Sequence, residues 1–530
     1  MKLRLSVVAF IIYSFSLQLN SQITYTKDIA PIIYNNCAVC HRAGEIGPMS
    51  LTNYDEVKNW AETIRYVTSI KYMPPWKPDP EYSRFQGENF LTDEEIEAIS
   101  AWVDAGKPYG DAGEEPPYPD FPEGSVLGQP DLVLSMEEAY LHKGNNTDEY
   151  RYFVIPTGLT EDKVVKAFEM RPGNKKIVHH ALFFEDITGI ARANDAQTPE
   201  YGFDGFGGFA GDDAEDILNQ KQYPGYVPGQ KPLYFPDGLG QTLRAGSDLV
   251  VQVHYAPWPV DETDQSSFNI FFADENEVFE REVQNHIMVP FFNVINELFV
   301  IYPNTVREFH GIWTVPEDIS LIGISPHMHL LGQHWEVYLE QPDGEIINLV
   351  RINEWDFNWQ GGYYFNRFIV AEKGARVHAI ASYDNTTENP NNPSNPPQFT
   401  TWGEGTEDEM YYLPISYVPY QAGDENVVFG EETTSLEDLI AGFPENKMYP
   451  IFPNPVESYV NAGFSLEQGT SVRIEIIDLN GRKIRTLRDN EFFNAGKHII
   501  NFEASSLETG PYMLRISSSK LNMTQKFIKP

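Results

Sequence analysis

The stretch Ser325-Pro-His327-Met-His329-Leu-Leu-Gly332 sets two imidazoles two residues apart. The apolar run before it, through Ile322 to Ile324, predicts an extended strand. Side chains at i and i+2 of a strand share one face, so His327 and His329 are placed to bind one metal ion. Cys37-Ala-Val-Cys40-His41 has the spacing for covalent attachment of a c-type haem. Two thiols add to the two vinyl groups, and His41 then lies beneath the iron as an axial ligand. A thioredoxin-like Cys-x-x-Cys would need a βαβ setting that is not visible, and a zinc site would need two more ligands nearby. Met73, in Tyr72-Met73-Pro74-Pro75-Trp76, is the expected sixth ligand, because proline-flanked backbone holds a thioether rigidly. Met49, closer to the attachment site, reads as packing. Two more histidine clusters fall in strand-like runs, Ile177-Val-His179-His180 and Val251-Gln-Val-His254-Tyr255. Neighbours on a regular strand face opposite sides, so His179 and His180 can share a metal only where the backbone is bulged or ending. Met410 follows a run of acidic and small residues, an odd place for a buried stripe.

The elements that must carry these residues change character along the chain. Residues 23–110 read as a small all-α domain. Asn53 to Tyr66 has apolar residues at helical spacing, and Thr92-Asp-Glu-Glu95 is a capping-box start before Ile96, Ile99 and Trp102. Residues 111–128, rich in Pro, Glu and Gly, read as a tether. From 129 to 425, short strand-like runs alternate with turn residues, the pattern of antiparallel sandwiches. Nearly 300 residues is large for one sandwich, so two are expected, at 129–285 and 286–425. Residues 426–447 form an acidic linker, and 448–530 a last small sandwich with hairpin signals at Asn480-Gly481 and Thr509-Gly510-Pro511.

The 530 residues carry a net charge of −39, with the acidic residues scattered rather than blocked. That disfavours nucleic acid and anionic membranes as partners. Residues 1–21 follow the order of a secretory signal: Lys2 and Arg4, an apolar run from Leu5 to Leu17, then small polar residues. That run is too short for a comfortable membrane span, and no longer one follows. The two cysteines are both in the haem motif, so the later domains must hold by packing alone.

Residues 23–110 resemble a small cytochrome c domain. Taken in order, His-His, His-Tyr after an apolar strand, Pro-His-x-His and Asp-Glu-Met resemble the copper type II, ascorbate-dependent monooxygenases, the family of dopamine β-monooxygenase and the peptidylglycine hydroxylase. Gly225-Tyr-Val-Pro-Gly229 and Tyr383-Asp-Asn385 are also similar. The resemblance implies two copper ions on two sandwich halves facing a solvent cleft. His179, His180 and His254 would hold an electron-transfer copper. His327, His329 and Met410 would hold the copper at which O₂ is used to hydroxylate a C–H bond. Imidazole suits both copper oxidation states, and a thioether favours the reduced one. The chain departs from the family in its cysteine-free core, in Ser325 where the peptide enzyme has a carboxylate-binding Arg, and in Tyr412 and Pro414 after the Met. Amidated peptides and catecholamines are therefore not expected; a small organic substrate, O₂ and an external electron donor are. The fused haem is expected to pass electrons to the His-only copper, the tether letting it dock and return. The alternative is a non-catalytic electron-transfer or copper-binding protein on the same scaffold. At the C-terminus, Phe452-Pro-Asn-Pro455, Asp478-Leu-Asn-Gly-Arg482, Gly510-Pro-Tyr512 and Lys526-Phe-Ile-Lys529 resemble the sorting domain of the type IX secretion system, which implies that machinery as a partner and passage out of a bacterial cell.

Overall fold

The computed structural model describes residues 22–529 apart from 120, 122–123, 206–208, 210–219, 231, 233, 275–276, 404, 430–446, 449–458, 467–469, 479–480, 494–495, 505–506 and 519–520. The expected signal, most of the 426–447 linker, Asn480 of the hairpin turn and Phe452 to Pro455 lie outside the described residues. The chain divides into two compact units, one ending at Phe429 and one beginning at Gly430.

The helices Ala30–Asn36, Tyr54–Ser69 and Asp93–Asp104 open the first unit. The expected capping box is formed: the Thr92 hydroxyl accepts from the Glu95 amide, and the Glu95 carboxylate accepts from the Thr92 amide. Val57, Ala61, Ile64 and Thr68 bury one face of the middle helix, and the helices close over Tyr25, Ile33 and Trp102. Between the second and third helices the chain leaves this core. The Asp79 amide donates to Arg351 O at 2.8 Å, and bridges form at Pro78–Ile352 and Phe85–Phe365. The Arg351 guanidinium grips Asp79 Oδ2 at 2.6 Å. Phe85 is fully buried in the second sandwich's core beside Tyr363 and Phe365. The helical segment is therefore stitched to that sandwich, where the tether had suggested a module free to swing. The reason is chemical: Phe85 and the Pro-rich loop around it carry apolar surface that a three-helix core of this size leaves uncovered.

The first sandwich stacks two five-stranded sheets. One orders Leu132–Ser135, Ser267–Phe272, Lys163–Arg171, Leu239–Leu243 and Arg281–Glu282. The other orders Phe203–Asp204, Glu149–Pro156, Asp248–Tyr255, Val178–Asp186 and Gln222–Tyr226. Phe153, Phe183, Val251 and Phe268 fill the space between them. The second sandwich stacks two four-stranded sheets, Gln284–Met288, Leu413–Pro419, Ile319–Ile324 and Tyr363–Ala371 on Thr305–Thr314, Arg376–Asn385, Gly332–Glu340 and Ile346–Ile352. Trp335, Val337, Tyr383 and Ile415 lie at its centre. The second unit, taken by itself, stacks a three-stranded on a four-stranded antiparallel sheet around Phe464, Ile474, Leu514 and Phe527. It is a small sandwich, as the alternation of its strands predicts.

Candidate functional site

The Asp248–Tyr255 strand lies between Glu149–Pro156 and Val178–Asp186. His254 stands opposite Tyr150 on one side and His180 on the other. The pairing register shifts between Val178 and His180. This is the bulge that two adjacent histidines need in order to face the same way. The outcome is a triangle of nitrogens: His179 Nδ1 is 3.3 Å from His180 Nδ1 and 3.2 Å from His254 Nδ1, and the last two are 3.3 Å apart. Donors about 2.0–2.1 Å from one ion at tetrahedral angles lie about 3.3 Å from each other. Three imidazole lone pairs held this close repel unless a cation sits between them. Asp148 Oδ1 lies 2.5 Å from His254 Nε2. A carboxylate only accepts, so Nε2 carries the proton and Nδ1 is left bare toward the triangle. Tyr150 stacks on the His254 ring at 4.1 Å, and its hydroxyl meets Thr406 Oγ1 of the second sandwich at 3.0 Å.

His327 and His329 sit just past the strand on which they were expected. That strand ends at Ile324. Pro326 interrupts the ladder because it has no amide to donate. The extended course nevertheless continues: the Ser325 amide donates to Pro414 O at 2.9 Å and the His327 amide to Tyr412 O at 2.8 Å. The two rings lie near each other, 5.1 Å between centroids and almost perpendicular. His329 Nδ1 is 3.1 Å from Asp408 O, so it carries the proton and leaves Nε2 as the ligand atom. Met410 lines the same cavity as both histidines.

Glu409, absent from the sequence expectations as a site residue, ties this half together. Its fully buried carboxylate accepts from the amides of His329 (2.9 Å), Leu331 (2.7 Å) and Met410 (3.0 Å). Burial pushes its carboxyl up to about 8, against the downward pull of those amides.

The two halves meet. The His180 and His327 rings are 6.2 Å apart, closer than the open cleft that the resemblance implies. Phe357 stacks against His179 at 5.4 Å and meets the His329 ring edge-on at 5.8 Å, and the Gln360 side chain hydrogen-bonds His327. Burial lowers all five imidazoles, His327 to about 3 and His329 to about 4, with His180 and His254 well below their ordinary value and His179 lowered less. All are neutral near pH 7, the form that can ligate a metal.

Cys37, Cys40 and His41 lie where the first helix ends. The amides of Cys40 and His41 both donate to Cys37 O, at 3.1 and 3.0 Å, so the motif curls into one turn. Neither cysteine is in a disulfide. His41 Nδ1 is 3.2 Å from Met49 O, leaving Nε2 for an axial bond. Met49 is thus placed by its backbone and packs on the helical core. Met73 is half-buried just beyond the middle helix, its amide on Val67 O at 3.2 Å. The turn rests against the first sandwich: Lys175 Nζ is 2.6 Å from Glu45, and a Cβ on Gly229 would lie 3.8 Å from Cys40 Sγ. The Tyr226–Gln230 loop, so placed beside the turn, also lines the cavity that holds the histidines.

Asp148, Tyr150, Phe357 and Gln360 were invisible in the sequence. Asp148 is one of 77 acidic residues, and only its folded contact with His254 Nε2 marks it out.

Residues 450–530 match the secretion system C-terminal sorting domain. They are a sorting domain. The chain is accordingly a bacterial protein delivered to the cell surface or beyond it, and no helix among the described residues is long and apolar enough to cross a membrane. No curated protein matches the chain. Among solved structures, β-glucuronidases overlap part of it. That of Faecalibacterium prausnitzii shares 11% identity over 43% of this chain and 37% of its own, with a TM-score of 0.12. That of Dictyoglomus thermophilum shares 8% over 49% and 40%, also with a TM-score of 0.12. The chain spans less than half the length of either.

Proposed function

We propose that the first unit is a copper-dependent monooxygenase that hydroxylates a C–H bond of a small organic molecule. The observation that carries this reading is the nitrogen triangle of His179, His180 and His254, whose three edges are 3.2–3.3 Å, with His180 lining the same cavity as His327, His329 and Met410. The donor sets fit copper: three imidazoles on one side, two imidazoles and a soft thioether on the other. Bound there, copper supplies O₂ activation and one electron per site, for the balance R–H + O₂ + 2e⁻ + 2H⁺ → R–OH + H₂O.

The chain's own residues set the conditions for that balance. Asp148 holds His254 in the tautomer that frees Nδ1. Asp408 O does the same for His329 Nε2, and Glu409 fixes the backbone at His329, Leu331 and Met410. Phe357 and the Tyr150 ring shield the imidazoles from water. Cys37, Cys40 and His41 fit a c-type haem, with Met73 the proposed sixth ligand. The Cys40 thiol that would carry such a haem stands beside Gly229 of the Tyr226–Gln230 loop. Electrons from an external donor are proposed to enter there through a docked domain.

The test is a mass-spectrometric screen of small organic substrates with copper-loaded protein, ascorbate and ¹⁸O₂. Incorporation of one labelled oxygen that is lost in His327→Ala supports the reading. Tight copper binding with no labelled product from any substrate, and haem that stays reduced on mixing with the oxidised copper protein, would replace it with the electron-transfer or copper-binding alternative.

A further inference from the structure

The cavity between the two sandwiches has a volume of about 200 Å³, and no Asp, Glu, Lys or Arg lines it among the described residues. This is unusual in a chain with 38 basic and 77 acidic residues among 530. A charged ligand entering the cavity would lose its hydration and find no side-chain counter-ion. The walls are instead aromatic, with Tyr150, Phe184, Tyr223, Tyr226 and Tyr364 among them. Interiors of about 150 Å³ with apolar walls hold benzene, so the space suits one ring and a short substituent.

Among the described lining residues, one fully buried side-chain atom has no hydrogen-bond partner. Gln241, only 2% exposed, lines the cavity. Its Nε2 donates to two backbone carbonyls, Gln222 O at 3.1 Å and Val283 O at 3.4 Å. Both partners only accept, so the orientation of the carboxamide is settled: nitrogen toward the backbone, oxygen away from it. That oxygen, Oε1, is buried and makes no hydrogen bond. The neighbouring amides and hydroxyls are largely engaged with one another. Tyr412 Oη donates to Gln222 Oε1 at 3.1 Å, Ser416 Oγ to Asn285 Oδ1 at 2.7 Å, and Gln252 Nε2 to Tyr152 Oη at 2.9 Å. Among the fully buried side-chain atoms of the described lining residues, Gln241 Oε1 is the one left wanting a hydrogen-bond donor.

The geometry points to an uncharged, single-ring substrate that carries one hydroxyl or N–H donor, a phenol or an aromatic amide, held by Gln241. This rests on the monooxygenase reading of the same cavity, but it concerns what the walls recognise and needs no metal to be seen.

The experiment measures binding of four probes of similar size to the metal-free full chain by calorimetry: 4-ethylphenol, ethylbenzene, 4-ethylbenzoate and 2-phenylethylamine. The expected order places 4-ethylphenol about tenfold tighter than ethylbenzene, the difference one hydrogen bond makes, with both charged probes weaker still. Gln241→Leu should bring the phenol down to the level of ethylbenzene while ethylbenzene itself still binds, which also shows that the variant is folded. The phenol–ethylbenzene comparison on the unaltered chain stands even if that variant does not fold. Equal or tighter binding of the carboxylate or the amine, or no binding of any probe, overturns the substrate class. If copper still loads in that case, the monooxygenase reading survives it; if the phenol binds and copper does not load, the substrate class stands and the monooxygenase reading falls.

Discussion

Two carboxylates with no ligand role of their own decide how the histidines are presented. Asp148 touches the triangle only through His254 Nε2. Removing such a partner costs about 10–100-fold in metal affinity. Asp148→Ala should therefore weaken copper at the three-histidine site by that factor in competition titrations, with the other site unchanged. Equal affinity in the variant would mean that the tautomer is set by something else. Glu409→Ala leaves three amides, those of His329, Leu331 and Met410, without their acceptor. At about 1–3 kcal/mol for each buried donor, a loss of at least about 3 kcal/mol is expected in urea unfolding, and less for Glu409→Gln, which keeps one acceptor. The histidines were legible in the sequence because the chain has only 12, and their order and neighbours are distinctive. Asp148 and Glu409 were not, since a carboxylate's role depends on which amide or ring nitrogen the fold brings to it.

At the scale of elements, the bulge between Val178 and His180 converts an ordinary strand into a ligand-bearing one. Alternation of side chains made the need for a bulge readable; its presence depends on pairing with Asp248–Tyr255, a strand some 70 residues away. The same elements bury five imidazoles in one place, with a consequence for pH. Their folded pKa values are depressed, so the unfolded chain takes up protons that the folded one refuses. Stability is whole above about 6.5, the unfolded value, and falls as pH drops toward about 3 for His327 and about 4 for His329. Each imidazole kept neutral one unit below its unfolded value costs about 1.4 kcal/mol. The melting temperature of the metal-free chain should thus fall steeply between pH 6.5 and 5.5, and bound copper should oppose the fall. A flat profile would show that the imidazoles are hydrated. The helical segment was read correctly in its helices and capping box, and incorrectly in its freedom. The sequence signal for a tether is local, whereas the contact that fastens the segment pairs Phe85 with Phe365, 280 residues on. Phe85→Ala should cost about 3–5 kcal/mol and expose the Pro74 to Phe90 segment to protease, since that ring is fully buried in the second sandwich.

For the whole molecule, the unit beginning at Gly430 has its own core of Phe464, Ile474, Leu514 and Phe527 and is the part whose role is established. A chain stopped at Phe429 should keep its folded circular dichroism and fail to reach the cell surface or medium. The order of elements, helices first and then strands, was legible because periodicity changes abruptly along the chain, from helical to alternating. The close approach of the two histidine sets was not, because it depends on how two sandwiches pair through Gln222, Tyr412, Tyr150 and Thr406. The central claim is that these sets hold two copper ions, and copper content after anaerobic Cu(I) loading and dialysis tests it most directly. The account predicts two ions per chain, falling to one in Met410→Ala and, separately, to one in His254→Ala. A single ion unaffected by Met410→Ala, or none in the unaltered chain, would contradict it.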